Sequence, residues 1–191
     1  MQDSQSLAAA RERLARVNIV GTSGSGKSTF SRALAARLGY PQIEMDRLFW
    51  KPKWQESPDP EFFAKVEVAL ATPHWVLDGN YTRTAHLKWK EVTAVVWLDY
   101  SFARTLAQAL KRALSRAITR KEFWPGTGNR ESFYRSFFTR QSILLWTIQT
   151  HGKNRERYAA MMADSRFAHI RWLRLRSPAE ARALLASLGQ K

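Results

Sequence analysis

The chain has 191 residues, enough for one domain with a sizeable core, and its formal net charge is +15. It has no cysteine, which excludes disulfides, thiolate metal sites and cysteine nucleophiles, and it has no apolar run of the roughly 18 residues that a membrane span needs. We therefore expect a cytoplasmic protein that makes no membrane contact and whose partner is anionic: nucleotide phosphates, a phosphorylated substrate or nucleic acid.

A predicted strand, loop and helix open the chain. Residues 1–15 are a polar start with a short helix, residues 16–20 form an apolar strand, and residues 27–38 form a helix with Gly39 as its C-cap. Between strand and helix, residues 21–28 read Gly-Thr-Ser-Gly-Ser-Gly-Lys-Ser and match the G-x-x-x-x-G-K-[ST] phosphate-binding loop, or P-loop. This context favours ATP binding over a flexible glycine-serine turn.

Each position of the P-loop has an expected role. The glycines let backbone N–H groups point at a polyphosphate, and the helix N-terminus adds a partial positive charge. Lys27 reaches the β- and γ-phosphates, and the Ser28 hydroxyl is a ligand for Mg²⁺. The predicted nucleotide-binding residues are Gly21, Ser23, Gly24, Ser25, Gly26, Lys27, Ser28 and Thr29.

Two further strands and a helix are predicted before residue 80. Residues 42–45 form a strand that ends at Asp46, and residues 47–58 form an aromatic and basic loop. A helix over 59–71 begins with Asp59 as N-cap and Pro60 at its first position. Residues 75–77 then form the third strand, which leads into Asp78 and Gly79.

The second half of the chain continues the alternation. Residues 92–98 form a strand that ends at Asp99, and Ser101 caps a helix that runs to residue 118. A loop over 119–131 and helices over 132–150 and 154–163 follow. Residues 168–175 form the fifth strand, and a Ser177-Pro178-Ala179-Glu180 capping box opens a final helix to 188. The pattern predicts an α/β fold with a central parallel sheet in a single domain over 1–191.

Three aspartates follow predicted strands, where the ligands of parallel sheets gather. Asp78 is the candidate Mg²⁺ ligand beside Ser28, because Gly79 allows close backbone approach there. Asp99 fits the same pattern, but it precedes a helix and we favour a structural capping role for it. Asp46 is either the group that orients or deprotonates an attacking hydroxyl or a turn-capping residue.

The basic residues are concentrated between 104 and 157, with 12 Lys and Arg against three acidic residues. Arg112, Arg116 and Arg120 lie at i, i+4 and i+8, and with Arg130, Arg135 and Arg140 they surround the 119–131 loop. We expect this stripe to clamp a transferring phosphoryl group and the loop to close as a lid; the alternative is an ordinary solvated helix face. The aromatic loop after Asp46, with Trp50 and Trp54, lines an acceptor pocket or packs beneath a loop.

These motifs resemble the nucleoside monophosphate kinase group of adenylate kinase-like proteins. Residues 77–83, Leu-Asp-Gly-Asn-Tyr-Thr-Arg, are similar to that group's L-D-G-F-P-R segment, in which the Asp serves the metal site and the Arg binds phosphate. Here Asn-Tyr replaces Phe-Pro, and Arg83, which would bind an acceptor phosphate, falls one residue late. Residues 43–46 are similar to the acceptor-binding segment of shikimate and gluconate kinases. The pattern is most similar to the FlaR-like "DNA topology modulation protein" family, which shares I-E-x-D-x-L-F-W, W-V-x-D-G-N-Y and the later G-N-R-E.

The resemblance implies a three-layer α/β/α P-loop NTPase fold with strand order 2-3-1-4-5 and a helical lid near 119–131. Asp46, with the aromatic and basic loop after it, favours a kinase that uses ATP and Mg²⁺ to phosphorylate a small-molecule acceptor. Lys27, Asp46, Arg112, Arg116, Arg120 and Arg130 are its predicted catalytic residues, and Ser28 and Asp78 hold the metal. The alternatives are a nucleotide-gated nucleic-acid-binding protein and an ATPase without an acceptor.

Overall fold

The computed structural model describes residues 12–119, 122, 124, 127–129 and 143–188, without the side chains of residues 116, 117 and 143. Its centre is a parallel sheet of five strands in the order β2-β3-β1-β4-β5, as the resemblance implied. The strands are β1 (Arg16–Gly21), β2 (Gln42–Glu44), β3 (Trp75–Asp78), β4 (Ala94–Leu98) and β5 (Arg171–Leu175).

Seven α-helices surround the sheet within the described residues. They are α1 (Lys27–Leu38), α2 (Met45–Phe49), α3 (Asp59–Leu70), α4 (Ala85–Lys88), α5 (Phe102–Thr119), α6 (Ile143–Ala163) and α7 (Pro178–Ser187). Short 3-10 turns lie at Pro52–Trp54, Thr82–Thr84 and Ser165–Phe167. No described helix is both long and apolar enough to cross a membrane.

The strands alternate their side chains between two hydrophobic cores, because successive residues of a strand point to opposite faces. Ile19, Val76 and Val96 enter one core with Leu34 of α1 and Ala181 of α7. On the other face, the core consists of Val20, Leu77, Trp97, Phe62 of α3 and Tyr158 of α6. Helices therefore cover both faces, and the arrangement is a three-layer α/β/α fold.

The register of the central strands brings the predicted site residues to one edge. Ile19 of β1 is paired with Asp78 of β3, and Glu44 of β2 is paired with the same aspartate. The P-loop, the end of β3 and the start of α2 are consequently neighbours at the carboxyl edge of the sheet.

Several local predictions are confirmed. Gly39 is left-handed and caps α1, and its N–H donates to the Ala35 carbonyl. Ser177 accepts from the Glu180 N–H at 3.2 Å, so the capping box opens α7 as predicted. The Ser101 hydroxyl accepts from the Arg104 N–H at 3.4 Å at the start of α5.

Other boundaries differ from the prediction. β2 ends at Glu44, and Asp46, which was expected at the end of this strand, lies in the first turn of α2. The rest of α2 occupies the start of the expected 47–58 loop. Pro58, rather than Asp59, is the N-cap of α3. β4 and β5 begin two and three residues later than predicted, at Ala94 and Arg171.

The largest difference is in α6, which runs unbroken from Ile143 to Ala163. The prediction ended one helix at 150 and began the next at 154, and Gly152, a residue type that weakens a helix interior, lies between them. Tertiary contacts outweigh this effect: Thr147, His151 and Asn154, at helical spacing along one face, are buried against the rest of the protein. Residues 132–142 of the predicted first helix lie outside the described residues.

Candidate nucleotide and acceptor site

The P-loop is held tightly between β4 and α5. A Cβ atom added to Gly21 would lie 2.7 Å from the Leu98 carbonyl oxygen, and one added to Gly24 would lie 2.8 Å from the Ala109 Cβ. Both glycines also have positive φ angles, 145° and 88°. Only glycine fits such close approaches in this conformation, so the backbone is fixed in its cradle before any ligand binds.

The cradle suits an anion. Gly26 is the N-cap of α1 in the left-handed conformation, and no described side chain caps this helix or places an acidic group in its first turn. The helix N-terminus therefore keeps its positive end for a ligand. The Ser25 hydroxyl oxygen is buried and makes no hydrogen bond within the described part of the chain. An anionic group with many acceptor oxygens is the ligand that these features fit.

Lys27 is directed back onto the loop that precedes it. Its Nζ donates to the carbonyl oxygens of Gly21 at 2.9 Å and Thr22 at 3.1 Å. Burial lowers the pKa of the Lys27 ammonium, the Asp78 carboxylate opposes this shift, and Arg112 adds to it. A polyphosphate is a stronger partner for this ammonium than two neutral carbonyls, because a bond between charged groups is stronger.

Ser28 and Asp78 lie next to each other near Lys27. The Ser28 hydroxyl is close enough to act as a hydrogen-bond donor toward the Asp78 side chain, which is buried at the end of β3. Burial raises the pKa of the Asp78 carboxyl, while Lys27 and the Ser28 hydroxyl lower it. A hydroxyl next to a carboxylate is a donor set that fits Mg²⁺, which takes one or two protein ligands and completes its shell with phosphate and water. The described residues contain no group of three or more His, Asp or Glu side chains that could hold a metal ion.

Asp99 is engaged elsewhere. Its carboxylate accepts hydrogen bonds from Arg174 Nε at 2.8 Å and from Arg174 Nη2 at 2.5 Å, and Arg155 Nε lies 2.9 Å from its other oxygen. The side chain is buried, and its two cationic partners join β5 and α6 to the end of β4. This role is structural, as favoured from the sequence, although Asp99 ties together three elements instead of capping one helix.

Asp46 lies near the P-loop, beside Lys27 and Asp78. Its Oδ1 accepts a hydrogen bond from the Tyr81 hydroxyl at 2.6 Å. The Asp46 carboxylate is close enough to act electrostatically on both Lys27 and Asp78, where its negative charge raises both pKa values. The side chain is exposed, so one carboxylate edge is held by a phenol while the group as a whole faces solvent.

Comparison with known proteins is informative for the fold. No family model and no curated protein matches the chain. The solved shikimate kinase from Acinetobacter baumannii in complex with shikimate is 18% identical, with coverage of 95% of this chain and 94% of that chain and a TM-score of 0.52. A gluconokinase from Sinorhizobium meliloti 1021 is 20% identical, covering 92% and 91%, with a TM-score of 0.47.

The chain has a three-layer α/β/α fold that it shares with a solved shikimate kinase. The shikimate kinase likeness and the strand order agree on this, and at 18% identity the likeness concerns the fold alone. The gluconokinase has a TM-score below 0.5, so it does not support an argument about the fold. The resemblance to the FlaR-like family is not confirmed by these comparisons.

Of the predicted arginine stripe, Arg112 is the member that the structure describes in full. Its Nη2 donates to the Ser23 hydroxyl of the P-loop at 3.3 Å. Arg116 lies on α5, but its side chain lies outside the described residues, as do Arg120 and Arg130 and most of the 119–131 loop. The lid and the clamp stay predictions.

Arg83 is paired with a residue of α3 and stacked on an aromatic ring of α2. Its guanidinium pairs with Asp59 at 3.0 Å and lies over the ring of Phe49, 4.6 Å from the ring centroid. In the nucleoside monophosphate kinases that the sequence resembles, the corresponding arginine binds phosphate. Here the cation is used to join the Tyr81 turn to α3.

The aromatic loop after Asp46 packs against residues that follow α5. Trp50 and Trp54 are in edge contact, and Trp54 has the same relation to Trp124 at 6.2 Å between ring centroids. Asn129 is fully buried: its Oδ1 accepts from the Trp54 N–H at 2.8 Å, and its Nδ2 donates to the Lys51 carbonyl at 3.0 Å. The described contacts therefore agree with the second alternative, in which this loop packs against its neighbours.

Sequence reasoning missed the buried residues whose side chains bind the backbone of β3 and of the P-loop. The amide group of Asn18, buried within β1, donates to the Leu77 and Gly79 carbonyls and accepts from the Trp89 indole. Thr147 of α6 donates to the Ser23 carbonyl at 3.2 Å. A polar residue in the middle of an otherwise apolar strand, as at Asn18, was the available signal, because a buried amide needs partners.

Proposed function

We propose that the protein is a kinase that transfers the γ-phosphoryl group of ATP to a hydroxyl of a small-molecule acceptor. One observation carries the proposal: the half-buried Lys27 ammonium lies within electrostatic reach of two carboxylates that have different partners. The Ser28 hydroxyl lies next to Asp78, and the Tyr81 hydroxyl donates a hydrogen bond to Asp46. The first pair suits a phosphate-bound metal and the second suits an attacking oxygen.

The nucleotide side follows from the cradle. The P-loop amides and Lys27 hold the phosphates of ATP, and the Arg112 guanidinium lies beside Ser23 at the same loop. Ser28 and Asp78 are the residues that would hold Mg²⁺, which when bound neutralises phosphate charge. The close contacts of Gly21 and Gly24 keep the loop in place, so its donors need no rearrangement during transfer.

On the acceptor side, Asp46 takes the proton of the attacking hydroxyl. As the acceptor oxygen forms its bond to the γ-phosphorus, the bond from that phosphorus to the β,γ-bridging oxygen breaks and ADP leaves. Tyr81 holds one oxygen of Asp46, so the other oxygen is available to the acceptor.

A hydroxyl acceptor is favoured over a nucleoside monophosphate. An acceptor phosphate needs a cation opposite the P-loop, and Arg83, the residue that the sequence offered for this, is paired with Asp59. One solved structure of this fold is described as a shikimate kinase bound to shikimate, so hydroxy acids belong among the compounds to test.

The test is ADP release from ATP and Mg²⁺ across a panel of hydroxy acids, sugars, nucleosides and nucleoside monophosphates. We expect a hydroxyl compound to stimulate release, and we expect Asp46→Asn to reduce the stimulated rate about 100-fold or more while ATP affinity is kept. Lys27→Ala should instead weaken ATP binding. Stimulation by nucleoside monophosphates alone, or an Asp46→Asn variant with the wild-type rate, would contradict the proposal.

A further inference from the structure

The turn that carries Asp78 is joined to the P-loop by side chains that do not reach the ligand site. We propose that Lys88 and Asn80 are positioning residues: together they form a hydrogen-bonded relay that fixes the P-loop and Lys27 for polyphosphate binding. The proposal rests on the proposed function only in requiring that the P-loop binds a polyphosphate.

The relay begins at Lys88, the last residue of α4. Its side chain is 1% exposed, and its Nζ donates to the Gly79 carbonyl oxygen at 3.3 Å and to the Asn80 carbonyl oxygen. Burial, with a smaller contribution from Arg157, lowers the pKa of Lys88 to about 7. A buried amine that loses its hydrogen-bond partners costs free energy, because no water replaces them. The two carbonyls that Lys88 binds are therefore held firmly in place.

The middle of the relay is the Asn80 side chain, which brackets one residue of the P-loop. The Gly21 N–H donates to Asn80 Oδ1 at 3.1 Å, and Asn80 Nδ2 donates to the Gly21 carbonyl oxygen at 2.8 Å. An amide is the side chain that pairs with both backbone groups of one residue, because it carries a donor and an acceptor side by side.

The relay ends at Lys27. The Gly21 carbonyl that accepts from Asn80 also accepts from Lys27 Nζ at 2.9 Å. Asn80 therefore fixes the orientation of the peptide group on which the P-loop lysine rests. Asp78 lies two residues before Asn80. By binding the Gly79 and Asn80 carbonyls, Lys88 therefore holds the Asp78 carboxylate, the proposed metal ligand, in a fixed position relative to the P-loop.

The geometry predicts which property each residue controls. Neither Lys88 nor Asn80 needs to contact the nucleotide, and their removal should loosen the loop that does. Part of the binding energy would then be used to order the loop again, which lowers the affinity for the phosphate tail.

The experiment measures the affinity of the full chain for Mg²⁺-ATP and for inorganic tripolyphosphate by titration calorimetry. The variants are Asn80→Ala, Lys88→Met, the double variant, and Lys90→Met as the control, since Lys90 is an exposed lysine two residues after Lys88. We expect each relay variant to bind both ligands about fivefold more weakly or worse, and the control to bind as wild type does. Because the two residues act in series, the double variant should bind no more weakly than the worse single variant.

Circular dichroism at the binding temperature establishes that each variant is folded, and Asn80→Ala keeps the test open if Lys88→Met does not fold. Wild-type affinity in folded Asn80→Ala overturns the relay, and so do strictly additive losses in the double variant. Failure of the wild-type protein to bind either ligand would instead refute the proposed function.

Discussion

Two aspartates with the same sequence pattern have opposite surroundings in the structure. Asp78 lies next to the Ser28 hydroxyl and near Lys27, whereas Asp99 forms ion pairs with Arg155 and Arg174. We expect Asp78→Asn to abolish Mg²⁺-dependent turnover with little loss of stability. Asp99→Asn should keep turnover but lower the free energy of unfolding by about 1–3 kcal/mol, because two cations lose a buried partner. Urea unfolding and ADP release on both variants check this; a reversed pattern would exchange the two roles.

Lys88 makes stability depend on pH. Its pKa is lowered to about 7 in the folded protein, while an unfolded lysine titrates near about 10.4. Between these values the unfolded chain binds a proton that the folded chain does not. The contribution of Lys88 to the free energy of unfolding therefore rises with pH above about 7, by at most about 1.4 kcal/mol per unit, and a charged Lys88 weakens the fold at lower pH.

Urea unfolding at pH 7 and pH 9 measures this effect. The increase in wild type should exceed that in Lys88→Met, whereas Lys90→Met, which changes an exposed lysine nearby, should retain it. Lys27 has a lowered pKa too, but it is present in all three proteins and cancels in the difference. Equal increases in wild type and Lys88→Met would show that Lys88 is not the source. The relay persists above pH 7, since a neutral amine still donates two hydrogen bonds.

At the scale of elements, α6 provides a test of helix continuity. Gly152 lies within the helix, is exposed, and a Cβ added there would meet no atom within 4 Å. Gly152→Ala should therefore raise the free energy of unfolding by about 0.5–1 kcal/mol, because alanine is the better helix former and no contact is disturbed. A loss of stability in urea unfolding would place a break at 151–153, as the sequence first suggested.

The elements also show which features the sequence could predict. Local rules were sufficient for the P-loop, Gly39 and the Ser177 capping box, because neighbouring residues determine them. The continuity of α6 depends on Thr147 and Asn154, which contact residues more than 100 positions away in the sequence. The residues around Gly152 alone could not show that the helix continues through them. Helix α4 was missed because its four residues are too few to show a period.

Tertiary partners also decided the site. The Asn-Tyr pair at 80–81 was noted as a departure from one known segment and as part of a motif shared with another family, and no role was assigned to it. In the structure Asn80 forms hydrogen bonds with both backbone groups of Gly21, and Tyr81 donates a hydrogen bond to Asp46. Both contacts join residues at least 35 positions apart. The sequence could identify which residue types stand near the phosphate site, but not which of them support it from behind.

At the scale of the molecule, the net charge of +15 acts on folding and on binding in opposite directions. The excess positive side chains repel one another in the compact state, which lowers the free energy of unfolding, and they attract a polyanion such as ATP. Added salt screens both effects, with a Debye length of about 10 Å at 0.1 M. Raising NaCl from about 0.05 to 0.3 M should therefore raise the midpoint of thermal unfolding and lower the affinity for Mg²⁺-ATP.

Thermal unfolding followed by circular dichroism and calorimetric titration at several NaCl concentrations measure the two trends on one preparation. Lys90→Glu lowers the net charge by two at an exposed position away from the P-loop, so it separates overall charge from the local site. It should unfold at a higher temperature in low salt and show a shallower salt dependence, with a small change in ATP affinity. If ATP affinity does not respond to salt while stability does, the attraction for the nucleotide comes from short-range bonds of Lys27 and the loop amides, and the overall charge serves another anionic partner.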